Sequence, residues 1–243
     1  MFIRSLFRAA AIAAAAIAAT GAANAADDAL GREAVEIFAD YLRVDTTNPP
    51  GNEIRAADFF AKLLAREGIG STIIESAPGR ANIVARLKGD GSKKAVVLLN
   101  HMDVVPADRR YWTVDPFAGE RKDGHVWGRG AIDMKAMAIT QLMAMIALKR
   151  AGTPLAADVV FLGTADEEAG GAMGAGFVVK EHFDLVRDAG VVLSEFGAIS
   201  TDEQGKVRYY GASATEKGPF WLKLRATGAP GHGSPPRPDT AVT

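Results

Sequence analysis

The stretch Val96-Val97-Leu98-Leu99-Asn100-His101-Met102-Asp103-Val104-Val105-Pro106 decides how the rest of the chain is read. Its first half is apolar at every position rather than at alternate ones, the signature of a strand buried on both faces. Its second half delivers a histidine and an aspartate two residues apart, which in an extended segment point to the same side. Short apolar runs of the same kind recur at Thr72–Ile74, Ile83–Leu87, Val159–Leu162 and Val191–Leu193. Helical spacing separates several of them. Leu30–Leu42 repeats apolar residues at Leu30, Ala34, Ile37, Phe38 and Tyr41, then stops in the breaker cluster Asp45–Gly51. A second helix is expected over Glu53–Glu67 with Gly68 as its stop, and others over Met134–Arg150 and Gly174–His182. Strands alternating with helices predict an α/β fold with a mostly parallel sheet covered on both faces. After Thr215 the texture changes: Phe220, Leu222, Leu224 and Ala226 alternate with Trp221, Lys223 and Arg225, as in a strand with one wet face that opens a second domain.

Four clusters of histidine or carboxylate sit where apolar runs end. His101 and Asp103 read either as a metal-binding imidazole with its orienting acceptor or as a loop histidine beside an incidental acid. Asp133, in Gly128-Arg129-Gly130-Ala131-Ile132-Asp133-Met134-Lys135, taken alone favours a helix cap. The run Asp166-Glu167-Glu168 is either a solvated loop or a set of carboxylates gathered for a cation, since adjacent acids raise each other's proton affinity and a divalent ion stabilises the charged forms. Glu195 ends the fourth run. Together they read differently. Ligands of open α/β sheets bind outside the carboxyl ends of the strands, and His101, Glu167/Glu168 and Glu195 at that edge, with Asp133 at a helix start, resemble a two-metal site. Oxygen and imidazole donors suit zinc, with cobalt or manganese as alternatives.

Composition narrows the choices. The 243 residues carry 28 basic and 29 acidic side chains, a net charge of −1, which excludes the basic excess of a general nucleic-acid binder. Cysteine is absent, so disulfides, thiolate metal sites and cysteine nucleophiles are excluded, and the four histidines must supply any imidazole ligand. Residues 1–26 have the three parts of a secretory signal: Arg4 and Arg8, the apolar Ala9–Ala19, and Ala23-Asn24-Ala25 as a small-x-small cleavage site. The expectation is a periplasmic or secreted protein with no membrane association after cleavage.

The ordered stretches HMDVVPA (His101–Ala107), GRGAIDMK (Gly128–Lys135), DEEAGG (Asp166–Gly171) and SEFG (Ser194–Gly197) resemble the M20 family of co-catalytic zinc peptidases and aminoacylases. The likeness begins at RVDTTNPPGNE (Arg43–Glu53) and extends to GHGS (Gly231–Ser234). It implies a three-layer α/β/α catalytic domain over 27–215 and, over 216–243, the start of an inserted α+β lid and dimerisation domain. It implies that His101 and Glu195 bind one metal, Asp133 bridges both, Glu168 binds the second, and Glu167 is the general base toward a zinc-activated water. Asp103 would orient His101, the peptide after Asp133 would be cis, and His232 would reach a partner subunit's active site in a homodimer to stabilise the oxyanion. The implied substrate is a small peptide or N-acyl amino acid. The family takes a last histidine ligand from a C-terminal segment, for which neither His125 nor His182 is a convincing substitute, so the chain reads as an N-terminal portion of a longer enzyme. Two other readings stay open: a relative that binds metal or ligand without turnover, and a two-metal hydrolase of phosphate esters.

Overall fold

The computed structural model describes residues 29–195, 199–211, 218, 220, 222–232 and 241, so the signal-like segment 1–26 lies outside the described residues. The chain divides into two compact units, one running to Glu195 and the other from Phe196. The division falls earlier than the change of texture after Thr215.

In the first unit, helix α1 covers residues 29–42 and α2 covers Ile54–Arg66. Strands β1 (Ser71–Ala77), β2 (Arg80–Leu87) and β3 (Lys93–His101) follow, then a small hairpin of β4 (Glu120–Lys122) and β5 (His125–Trp127). Helix α3 (Ala136–Ala151), β6 (Ala157–Thr164), α4 (Ala175–Glu181) and β7 (Ala189–Leu193) complete it. The sheet order is β1-β2-β6-β3-β7. β1 pairs antiparallel with β2 and β2 antiparallel with β6, while β3 pairs parallel with both β6 and β7. Four of the five strands therefore run in one sense and β2 alone is reversed. The register sets Leu98 opposite Phe161 and Leu193, and His101 opposite Thr164, which brings the carboxyl ends of β3, β6 and β7 to one edge.

The two faces follow from the period-two alternation of side chains. Ile83, Leu98, Val159 and Phe161 join Phe60, Leu64, Leu142 and Ile146 in one core beneath α2 and α3; Val84, Val97, Val160 and Leu162 meet Val178 of α4 on the other. This is the expected three-layer arrangement. The Phe60 ring meets Tyr41 and Phe161 at centroid distances of 4.7 and 5.1 Å. Phe161 is fully buried, and Phe161→Ala is expected to cost about 3–5 kcal/mol in a urea titration. Residues 131–151 are apolar and long enough to cross a membrane, yet half of that stretch is buried within the protein. Met143 and Met145 pack in the core as expected, whereas Met137 is exposed.

Two expectations are corrected. Val191, Val192 and Leu193 are 46, 51 and 50% exposed, because β7 is the edge strand of the described sheet and has one neighbour. In the second unit the described strands are β8 (Ile199–Thr201) and β9 (Val207–Tyr210), an antiparallel pair whose turn is held by Asp202 Oδ1 accepting from the amides of Gln204 and Lys206. The alternating residues 222–226 form no strand. A strand needs a neighbour to take up its N–H and C=O groups, and Phe220, Leu222 and Leu224 are instead exposed.

Candidate metal centre

His101 ends β3 with only 3% of its surface exposed. Its Nδ1 faces two acceptors of Asp103, the main-chain oxygen at 3.0 Å and the carboxylate Oδ1 at 3.5 Å. The nearer orienting group is thus the backbone carbonyl. Acceptors on that side place the proton on Nδ1 and turn Nε2 toward the cleft, the arrangement a metal-binding imidazole needs. Around Nε2 stand Asp133 Oδ1 at 2.9 Å, Glu195 Oε2 at 3.7 Å and Glu167 Oε2 at 3.9 Å.

Asp133 reaches this point from an irregular wide turn, Ala131–Lys135, entered through Gly130 at φ +76. A side chain at Gly130 would meet Val104 Cγ1 at 2.5 Å. The peptide Asp133–Met134 is cis, as the family resemblance implies. Asp133 is not the helix cap it suggests when read alone: the residue before α3 is Lys135, and no side chain caps there. Lys135 is buried, donating from Nζ to the carbonyls of Val44 (2.6 Å) and Tyr41 (3.1 Å) with the Tyr41 ring 4.6 Å away. It ties the turn to the end of α1, and burial pushes its ammonium down to about 7.

Glu167 and Glu168 lie on a short 3-10 turn after β6, preceded by Asp166 at φ +67. Their backbone amides donate to Asp103 Oδ1 and Oδ2 at 3.0 and 3.1 Å. The carboxylate behind His101 therefore also holds the turn that carries the two glutamates. Burial works against charge on Asp103, but His101, Asn48 and the Glu167 amide outweigh it and lower its pKa.

The acids opposite behave as a cluster in need of a cation. Burial pushes Glu195 up to about 7; the attraction of His101 opposes this, while Asp133 and Glu167 add to it. Burial, then Asp133, raises Glu168 as well. Burial disfavours a charged His101, yet hydrogen bonds to Asp103 and Asp133 override it and push it up to about 10. Two trios bring one ligand atom per residue within 4.8 Å of one another, His101 with Glu167 and Glu195, and His101 with Asp133 and Glu168. An imidazole with oxygen donors and mutually repelling carboxylates fits divalent metal. A cavity of about 70 Å³ lies among His101, Thr164, Glu167 and Glu195. A larger one, about 500 Å³, adjoins Asp133 and Glu168 and is walled by Val105, Trp112, Val126 and Trp127.

All six acidic and imidazole positions expected from the first unit thus converge. His125 is exposed on β5 with Nδ1 2.7 Å from Asp123 O, and His182 follows α4 with its ring against Phe177; neither joins a metal-capable trio among the described residues. His232 is an exposed residue of the second unit. Sequence reasoning missed Asn48, Glu53 and Arg80 as partners of the site, and read Asp166 only as one of three acids in a run, whereas its carboxylate binds Arg80 and Asn48. Asn48 was visible as part of a breaker cluster; nothing marks Arg80, at the start of a strand, as the partner of Glu53.

Comparison with known proteins agrees with this geometry. Residues 97–218 match the model of Peptidase family M20/M25/M40. The chain is 36% identical over 219 residues to Aminoacylase-1 of Sus scrofa, covering 87% of this chain and 52% of that protein. It is 30% identical over 206 residues to a probable succinyl-diaminopimelate desuccinylase of Staphylococcus epidermidis, covering 84% and 47%. The chain spans about half the length of these curated relatives. Among solved structures, human carnosine dipeptidase 1 is similar with a TM-score of 0.58 and 25% identity, over 69% of this chain and 39% of that one. An M20 family metallo-carboxypeptidase from Sulfolobus solfataricus shares the fold with a TM-score of 0.60 at 22% identity, over 71% and 39%. With its ordered motifs, its sheet and the matched stretch in agreement, the chain belongs to peptidase family M20/M25/M40.

Proposed function

We propose that the protein of which this chain is part is a metal-dependent hydrolase that cleaves the amide bond of an N-acyl amino acid or small peptide. The observation that carries this reading is the convergence of His101, Asp133, Glu167, Glu168 and Glu195 at the carboxyl ends of β3, β6 and β7 and at the turn before α3. His101, Asp133 and Glu195 would hold one ion, and Asp133 and Glu168 the other, zinc being the natural occupant of such a donor set. When bound, the pair supplies an acidified water and polarisation of the scissile carbonyl. Glu167, whose side chain is half exposed, takes a proton from the attacking water and returns it to the leaving amine. Asp103 orients His101 from behind. His232 is assigned the donation to the developing oxyanion in a homodimer, and residues 1–26 the export of the protein to the periplasm or exterior.

The likeness to Aminoacylase-1 puts N-acyl amino acids first among substrates, and the apolar walls of the larger cavity favour a large apolar group beside Asp133 and Glu168. The test is a screen of the full-length, zinc-supplemented protein against N-acetyl amino acids, dipeptides and phosphate esters. Amine release is expected, fastest from substrates with an apolar side group. Binding without turnover, or turnover of phosphate esters alone, would overturn the assignment.

A further inference from the structure

The Arg43–Glu53 motif has no part in the chemistry above, yet it supplies a second polar layer behind the metal centre. Arg80 Nε and Nη2 donate to the two carboxylate oxygens of Glu53 at 2.7 and 2.8 Å, and Nη2 also donates to Asp166 Oδ1 at 2.8 Å. All three side chains are largely enclosed, at 15% exposure for Arg80, 0% for Glu53 and 9% for Asp166. Asn48 Nδ2 joins the same Asp166 oxygen, at 3.3 Å, to Asp103 Oδ2, at 2.8 Å. Three successive backbone amides are then held by two carboxylates. Asp166 donates to Glu53 Oε1 at 3.2 Å, and Glu167 and Glu168 donate to Asp103.

The local sequence is shaped around this bracket. A side chain at Gly51, φ +93, would come within 2.3 Å of Arg80 Nε, so glycine leaves the room the guanidinium occupies. Asp166 holds a left-handed φ of +67 that a non-glycine residue adopts at a cost. Its side chain is fixed there by Arg80, Asn48 and the amide of Met173.

We propose that Arg80 is a positioning residue of the metal centre: braced by Glu53, it fixes Asp166 and so aims Glu167 and Glu168 at the cluster, while Asn48 locks the same carboxylate to Asp103 behind His101. The planar guanidinium is essential because it must serve two carboxylates from one fork, which a lysine ammonium cannot match. The inference rests on the proposed function for its kinetic consequence alone; the geometry of the turn and its hold on metal are independent of the substrate.

The test compares wild-type full-length protein with Arg80→Lys and with the double variant Glu53→Gln, Arg80→Gln. The double variant removes the charge of Glu53 together with that of Arg80, leaves Asp166 its hydrogen bonds from Asn48 and the Met173 amide, and covers the case in which Arg80→Lys does not fold. Folding is checked by thermal unfolding, zinc affinity by chelator competition, and order in the turn by amide hydrogen exchange of residues 164–170. The expected result is zinc affinity about tenfold weaker, exchange of the turn about tenfold faster, and kcat about 100-fold lower with little change in KM. A folded variant with wild-type zinc affinity and wild-type exchange at 164–170 would overturn the inference, even if its melting temperature had dropped. Absence of amide hydrolysis by the wild-type protein overturns the proposed function and leaves the affinity and exchange measurements to decide this one.

Discussion

Glu167→Gln is expected to lower kcat of the full-length protein about 1,000-fold and to leave its metal content unchanged. The geometry makes this a sharp test, because Glu167 has two available roles. Its Oε2 lies 3.9 Å from His101 Nε2, and with Glu195 it belongs to one of the metal-capable trios. It also lies on the same turn as Glu168, with its side chain half open to the cleft, where an attacking water would stand. A glutamine preserves the shape and the hydrogen-bonding oxygen but cannot accept a proton. If Glu167 is the base, turnover falls and metal analysis is unaltered. If it is a ligand, metal is lost along with turnover. Unchanged turnover would remove it from the chemistry altogether.

The difference between those roles is the kind of information sequence carries poorly. The positions were legible: apolar runs marked β3, β6 and β7, and a carboxylate or histidine after each run marked the sheet edge where ligands collect. Helix α2 was legible from Phe60, Leu63 and Leu64, which are all buried. What was not legible depends on contacts distant in sequence. The strands β4 and β5 have three residues each, too few to establish a period. The reversal of β2 is set by its neighbours, since an apolar run reads the same in either direction. Arg80 and Glu53 are 27 positions apart, and each alone looks like a surface charge; burial makes them a pair. Residues 222–226 err the other way: they alternate like a strand, but alternation describes one face and says nothing of a hydrogen-bonding neighbour. The resemblance in ordered motifs supplied what periodicity could not, including the cis peptide at Asp133.

Removal of divalent metal is expected to abolish turnover and to lower the melting temperature, by an amount that widens as pH rises from 5 to 8. In the metal-free site, His101 is pushed up to about 10 by Asp103 and Asp133 in spite of its burial, against about 6.5 in an unfolded chain. Its stabilisation is complete below that unfolded value and is lost as pH climbs through the folded one. Glu195 acts in the same direction. Burial, offset by His101 and reinforced by Asp133 and Glu167, pushes it up to about 7, so the folded state keeps a proton that the unfolded state releases near pH 4.5. Stability is then lost between those two values, and Glu168, also raised, adds to the trend. Solvent at the partly open Glu195 weakens the effect without changing its sign. Metal binding follows the opposite course. An ion held by these groups would displace their protons and need them deprotonated, so its affinity would climb with pH, and a ligand present at about 100 times its Kd stabilises by about 2.7 kcal/mol. One curve falls while the other gains. Thermal unfolding at pH 5, 6.5 and 8, with zinc and with chelator, reads the gap directly. A gap that stayed constant or narrowed toward pH 8 would mean that the protons on His101 and Glu195 are not the ones the metal displaces, and the two trios would no longer describe where it binds.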